Sequence, residues 1–470
     1  MPKKETREPI EDASDLNALL DWKNPYVVRL AQAGTVDPDV IAQAQANLQN
    51  QQVQDALQEG LETPITPEIQ ALADSLGNSS IEIYTWVHNN IRFIPSHGSI
   101  QGAAQTLATG QGNAMDTASL LVALLRASNI PARFAYGTVV VPAEQAMNWV
   151  GGAETPEAAQ AIMGMGGMPI TGVIKGGKIA EFKLEHVWVE AYVDYFPSRG
   201  VVERAGDSWV PMDASFKQHD FAAGMDLQNN VPFDAESLAL DLEAQMTVNE
   251  DEGWVQGSPQ ALLEAQLASF QTELENYVAE QNSEATVGEV LGLQSIKILP
   301  ARPLADGLPY KRIITSQRFN HAPANLQHKF HYSLSTQSLG YAEDELFTFE
   351  QPTAALAGKA ISLSFVPATE DDEAIIASYL PQPDENGDIN PADLPQSLPG
   401  YLINLNAEFT VGGEVIHTAP AGTMGTELYE TMGYWNPHEG DRHSINYPIA
   451  GSYRAIGLDL QGASPEHAAK

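Results

Sequence analysis

The stretch Gly112-Asn113-Ala114-Met115-Asp116-Thr117-Ala118-Ser119-Leu120-Leu121-Val122-Ala123-Leu124-Leu125-Arg126-Ala127-Ser128-Asn129-Ile130-Pro131-Ala132-Arg133 decides how the chain is read. A glycine turn opens a helix that is apolar on nearly every face, and such a helix is buried. Asn129 stands where a helix accepts a left-handed residue. Pro131 forbids continuation, and a strand follows from 133. The turn sets residue 114 at the helix N-terminus, where unpaired amides and the helix dipole favour an anion. A cysteine there would have a depressed pKa. The position holds Ala114, and none of the 470 residues is a cysteine.

Two further segments complete a constellation. In Glu185-His186-Val187-Trp188-Val189-Glu190-Ala191-Tyr192, strand alternation projects His186, Trp188, Glu190 and Tyr192 from one face. Trp209-Val210-Pro211-Met212-Asp213-Ala214-Ser215-Phe216-Lys217 reads as a strand ending in a carboxylate, Asp213. A helix-start nucleophile, a strand histidine and a strand-end aspartate follow the logic of a Cys-His-Asp triad. The histidine deprotonates the thiol, and the aspartate holds the imidazole in the right tautomer. Ser119, one turn into the buried helix, reads as packed and back-bonded rather than as a substitute nucleophile. Asp116, in the first turn, is favoured by free amides whether or not chemistry occurs.

The order and sequence of these pieces resemble the transglutaminase-like superfamily, which has a papain-like catalytic core. The resemblance begins at Trp86-Val87-His88-Asn89-Asn90-Ile91-Arg92-Phe93-Ile94-Pro95 and continues through Ala123-Leu124-Leu125-Arg126-Ala127 and Ile130-Pro131-Ala132-Arg133. It closes with His186-x-Trp188 and Trp209…Asp213. It implies that Ala114 stands at the nucleophile position, His186 at the base and Asp213 at the orienting acid, with Asp116, Trp188 and Trp86 as cleft candidates. The family's Cys-x-Asp survives as Ala114-Met115-Asp116. Residues 354–369 and 453–460 resemble a bacterial branch of large transglutaminase-like proteins, often secreted or surface-associated and often lacking the cysteine.

The expected fold class is α+β: a papain-like transglutaminase core flanked by helical segments and followed by a C-terminal β-sandwich-like domain. Residues 1–75 read as a helical N-terminal region, and 76–222 as the core, with an insertion at 142–182. Residues 223–300 read as an acidic helical segment, 301–461 as the strand-rich domain, and 462–470 as a linker or cut terminus. The insertion carries glycines at 164, 166 and 167 and the hairpin signal Val173-Ile174-Lys175-Gly176-Gly177-Lys178-Ile179. A lid and a decorated crossover explain it equally well. Met163, Met165 and Met168 read as packing beneath it.

A formal net charge of −37 makes nucleic acid and anionic membrane surfaces poor partners. The absence of cysteine excludes disulfides and thiolate metal sites. No run reaches membrane-spanning length, and residues 1–30 show no signal-peptide core, so an extracytoplasmic setting would need a leader outside this sequence. Asp384, Asn386, Asp388, Asn390 and Asp393 alternate oxygen ligands around Gly387 as a calcium loop does, although the EF-hand's distal Glu is missing. No cofactor is otherwise required. His438-Glu439-Gly440-Asp441-Arg442-His443 reads as a solvated loop rather than a metal site. The leading functional expectation is a catalytically inactive transglutaminase-like module of a larger bacterial extracytoplasmic protein (secreted, periplasmic or at the cell surface), binding a peptide or protein chain or serving assembly. The alternatives are a cysteine-dependent acyl-transfer enzyme whose nucleophile has been exchanged for Ala114, and a structural or adhesive surface protein.

Overall fold

The computed structural model describes residues 6–20, 38–202, 205–249, 253–257, 259–381, 394–395 and 397–456. Asp12 caps α1 (Ala13–Leu19), its carboxylate accepting from Ser14 N at 2.8 Å. α2 (Pro38–Asp55) and α3 (Pro67–Ser75) follow, α3 opening on Pro67 with Thr66 Oγ1 accepting from Ile69 N at 3.3 Å. α4 (Ser80–Asn90) buries Ile83 and Val87 completely. A buried lysine closes its C-terminal end: Lys217 Nζ donates to His88 O at 2.9 Å and to Ile91 O. Burial pushes that ammonium down to about 7.

β1 (Arg92–Phe93) and β2 (Gln111–Gly112) form a short parallel pair on either side of α5 (Gly102–Thr109). The left-handed glycine of this turn is Gly110, at φ 65°. Gly112 is extended instead, and its surroundings are tight: a Cβ there would lie 3.0 Å from Thr106 Cγ2 and 3.3 Å from Asp116 Cβ. Asn113 then caps α6 (Ala114–Ala127), Oδ1 accepting from Asp116 N at 2.8 Å. Residues 114–126 of α6 are all buried. The expected stop is a Schellman motif. Asn129 has φ 58°, its N–H bonds Arg126 O at 2.9 Å, and Ile130 N reaches Leu125 O at 2.8 Å.

β3 (Ala132–Pro142) leads into the insertion, which holds α7 (Ala143–Trp149), α8 (Pro156–Met165) and β4 (Ile170–Lys175). The Gly176-Gly177 turn, both φ positive, returns it along β5 (Lys178–Val193). β5 starts earlier than expected, because the hairpin and the histidine strand are one continuous strand. β6 (Ser208–Met212) completes the run.

Residues 219–297 are a separate compact unit. It contains β7 (His219–Ala222), α9 (Leu227–Asn230), α10 (Ala235–Glu243), β8 (Thr247–Asn249), β9 (Trp254–Gln256), α11 (Gln260–Gln281), α12 (Val287–Leu291) and β10 (Leu293–Ile296). β7 pairs antiparallel with β10, so the unit's first and last strands lie together. Phe233 packs edge-on against Phe270 at 4.9 Å.

β11 (Lys311–Phe319) pairs antiparallel with β3. The expected division at 301 therefore does not separate core from tail at that strand. It joins the core sheet in the order β11-β3-β5-β4, with β6 also on β5. Bulges between Arg312 and Ile314 and between Thr315 and Gln317 break its alternation, which is why it did not read as a core strand. Beyond it come β12 (Lys329–Ser338), β13 (Tyr341–Pro352), α13 (Thr353–Leu356), β14 (Ile361–Pro367), α14 (Glu370–Tyr379), β15 (Asn404–Val411), β16 (Glu414–Thr423), β17 (Leu428–Asn436), β18 (Gly440–Asn446) and β19 (Arg454–Ile456). Two four-stranded antiparallel sheets result, β13-β12-β17-β18 and β16-β15-β14-β19. Their inner faces meet in one apolar cluster, where Tyr332 of β12 stacks on Phe409 of β15 at 4.7 Å. With the core this makes an α+β molecule. Asp384, Asn386, Asp388, Asn390 and Asp393 lie outside the described residues, as do residues 462–470.

Candidate functional site

β4 pairs with β5 only as far as Leu184, and β6 begins pairing at Val189. Glu185 N still reaches Pro169 O at 3.1 Å, so one edge of β5 is open at residues 186–188, and a pocket lies there. It is lined by Ser96, His97 and Gly98, by Ala114 and Met115 from the start of α6, by Tyr136, Met168 and Leu326, and by Glu185, His186 and Val187. Sequence segments more than 70 positions apart thus bring Ala114 and His186 to one cavity.

His186 is held tightly. Its Nε2 lies 2.8 Å from Asp213 Oδ2, and both side chains are almost wholly buried. Asp213 sits just past β6 and is saturated with donors. Oδ1 accepts from Ser215 N at 2.8 Å, Ser215 Oγ at 2.7 Å and Phe216 N at 3.2 Å; Oδ2 also accepts from Tyr310 Oη at 2.7 Å. Burial alone would raise this carboxyl, but His186, Ser215 and Tyr310 outweigh it and hold the group at about 2. An ionised Asp213 assigns the Nε2 proton to His186 and leaves Nδ1 as the free nitrogen. Among the described residues Nδ1 has no hydrogen-bond partner. The ring is clamped edge-on by Trp149 at 5.4 Å and Tyr310 at 5.6 Å, and Trp149 Nε1 donates to Ser215 O at 2.8 Å.

A second polar chain crosses the pocket wall. His97 Nε2 lies 2.9 Å from Tyr136 Oη, and Tyr136 Oη donates to Glu185 Oε2 at 2.8 Å. Burial pushes His97 down to about 4. The insertion contributes Met168 to the pocket and Trp149 to the histidine clamp, while Gly166 O accepts from His97 N at 3.0 Å. It is therefore part of the site's wall.

Other sequence candidates lie elsewhere. Asp116 does not border the pocket; its Oδ1 accepts from Ile100 N, Gln101 N and Gly102 N at 3.0–3.1 Å, closing the loop before α5. Burial nevertheless pushes its carboxyl up to about 6. Trp188 is fully buried, with the Arg312 guanidinium 6.0 Å from its ring centre, and Trp86 packs against the core. Ser119 Oγ donates to Met115 O at 2.9 Å, the back-bonded role expected of it. Among the described residues no group of three or more His, Asp and Glu side chains is placed to hold a metal ion. Of residues 438–443, expected as a solvated loop, 440–443 belong to β18, and Glu439 pairs with Arg442 at 2.5 Å.

Residues 65–214 match the family model of the transglutaminase-like superfamily. The chain carries a transglutaminase-like domain. No curated protein and no solved structure matches it. The matched segment contains Ala114, His186 and Asp213, but it ends before Ser215 and Tyr310, which complete the hydrogen bonding of Asp213. The transglutaminase-like domain is thus finished by a strand and an aromatic that return after the 219–297 unit. Sequence reasoning missed Tyr310, which lies 97 positions from Asp213 with no motif around it. Glu185 could have been found, as the acidic neighbour of the histidine.

Proposed function

We propose that this chain is a catalytically silent transglutaminase-like module that holds a polypeptide segment in the pocket between α6 and β5, within a larger extracytoplasmic bacterial protein. One observation carries the reading: the pocket joins Ala114 to a histidine whose orientation is fixed by Asp213 and whose other nitrogen has no hydrogen-bond partner among the described residues. A methyl group cannot attack a carbonyl, so the preserved base has no nucleophile to activate. What remains is a shaped, largely apolar recess with a few fixed polar groups, which is what recognition requires.

The direct test is activity of the chain as it stands. Detectable transamidation, deamidation or peptide hydrolysis would overturn the proposal. Binding should be measured in parallel against a displayed peptide library, with Ala114→Trp filling the recess. Loss of all binding in that variant, with folding intact by circular dichroism, is the expected result. The intact His186–Asp213–Tyr310 arrangement favours a second reading, an acyl-transfer site lacking only its thiol. Ala114→Cys separates the two. Turnover by the cysteine variant supports the second reading, whereas alkylation of the thiol without turnover supports a recess retained for binding.

A further inference from the structure

Glu185 serves two surfaces. Glu185 borders the pocket beside His186 and Ala114, and its buried carboxylate is already occupied by a cation from the chain's own N-terminal segment. Arg7 approaches with both terminal nitrogens, Nη2 on Oε2 at 2.6 Å and Nη1 on Oε1. Two parallel contacts of this kind suit a planar guanidinium and not a point-like ammonium. Ile10 N donates to Oε1 at 3.0 Å and Tyr136 Oη to Oε2 at 2.8 Å. Tyr136 belongs to β3, so the carboxylate keeps its aim if the N-terminal segment leaves.

That segment has a firm end and a loose end. Leu16 and Leu20 are buried and fix α1 to the core. Residues 7–11 have one apolar anchor, the half-buried Ile10 against the core, and are otherwise held by polar contacts: Arg7 to Glu185, Thr138 Oγ1 to Ile10 O, and Lys183 to Glu11. The Arg7 side chain is 38% exposed while that of Glu185 is fully covered. Lifting residues 7–11 would take the countercharge from the Glu185 carboxylate, which an incoming guanidinium would restore. His97 offers no substitute at neutral pH, because burial keeps its imidazole uncharged.

We propose that the pocket carries an arginine subsite built on Glu185 and Tyr136, with Arg7 as its tethered occupant until an arginine-bearing polypeptide displaces it. The proposal rests on the reading of the pocket as a polypeptide-binding recess and specifies what that recess selects.

The test compares two probes, the blocked tripeptide Gly-Arg-Gly and its citrulline counterpart, which keeps the shape without the charge. Binding is measured by calorimetry on the wild-type chain, Arg7→Ala, and Arg7→Ala with Glu185→Gln. Arg7→Ala should bind the arginine peptide about tenfold or more tighter than wild type, since truncating one member of a buried charge pair has effects of at least that size. The Glu185→Gln double variant should lose the gain, and the citrulline peptide should bind none of them. Equal affinity of wild type and Arg7→Ala for the arginine peptide, or equal affinity of Arg7→Ala for both peptides, overturns the subsite. Should Arg7→Ala loosen the fold, saturating wild type with the arginine peptide gives an independent reading. The Ile10 amide should then lose its protection from hydrogen exchange, and retained protection at saturation counts against displacement. Adding Ala114→Trp separates this proposal from the one it rests on. If the recess is blocked and Arg7→Ala still prefers the arginine peptide, the subsite stands and the recess reading fails. If both peptides bind alike until Ala114→Trp removes them, the recess stands and the subsite fails.

Discussion

Asp213 and His97 are both buried at the site, and their environments push each away from its ordinary titration in a direction that fixes how the protein responds to acid. Asp213 is held at about 2, against an ordinary value of 3.8. Its stabilisation is therefore complete above pH ~4 and is lost as pH falls toward ~2, roughly 2–3 kcal/mol in all. Tyr310→Phe removes one donor to this carboxylate. It should cost about 1.5–3 kcal/mol in urea unfolding near neutrality, the range for hydrogen bonds to charged groups. It should also move the acid transition upward, and an unchanged transition would show that Tyr310 does not support Asp213. His97, depressed from 6.5 to about 4, stays neutral in the fold while the unfolded chain takes up a proton. His97 by itself should lower stability by about 3 kcal/mol between pH ~6.5 and ~4, while Asp116, raised to about 6, acts with the opposite sign in the same window. His97→Gln, which still offers an N–H to Tyr136 but cannot titrate, should remove the His97 share, so that the variant gains stability over wild type as pH falls from ~6.5 to ~4. The residues of the triad positions were legible because strand alternation and a strand-end carboxylate are local patterns. Tyr310 was not, since the hydrogen bond that recruits it depends on where the chain returns after an insertion.

At the scale of the element, α6 is where sequence and structure agree most closely, because its start, its body and its stop each have a local chemical cause. Asn113 caps it, an unbroken apolar run buries it, and Asn129 ends it in a left-handed conformation. Asn129→Val should therefore destabilise by about 1–2 kcal/mol, the cost of a left-handed conformation for a residue with a branched Cβ. Asn129→Gly should be neutral or slightly stabilising, and equal losses in both variants, measured by denaturant midpoints, would refute the cap. Arg126 is the cation of the helix's last turn. It is buried and donates to Ala56 O, Thr63 Oγ1, Ala132 O and Asn320 O, tying the chain before α3 and the end of β11 to the helix. Burial lowers it to about 10, and its partners are carbonyl and hydroxyl oxygens dispersed along the sequence. β13 hid for a different reason: its first five residues are exposed, so the alternation that marks a strand is absent there. Periodicity reports a half-buried strand and is silent about an exposed one.

At the scale of the molecule, the 219–297 unit interrupts a sheet that is completed only afterwards, by β11 on the edge of β3. The register of β7 with β10 pairs His219 with Ile296, so the chain leaves and re-enters at neighbouring positions. Paired residues in an antiparallel ribbon have Cα atoms about 4.5–5.5 Å apart, a gap that a linker of a few residues spans. Within the unit, no residue of α10, α11 or α12 is buried. The elements that complete the site, Tyr310 and β11, lie beyond it in sequence and pack with residues before it. Replacing 219–297 with a short glycine-serine linker should therefore leave the rest of the chain folded. Its calorimetric melting temperature should stay within about 4 °C, the shift that about 1 kcal/mol produces in a domain of a few hundred residues. The acid loss attributed to Asp213 should survive the deletion, because Tyr310 still returns to it. A collapsed near-ultraviolet dichroism signal, or an acid profile like that of Tyr310→Phe, would mean that the unit guides the returning chain rather than merely interrupting it.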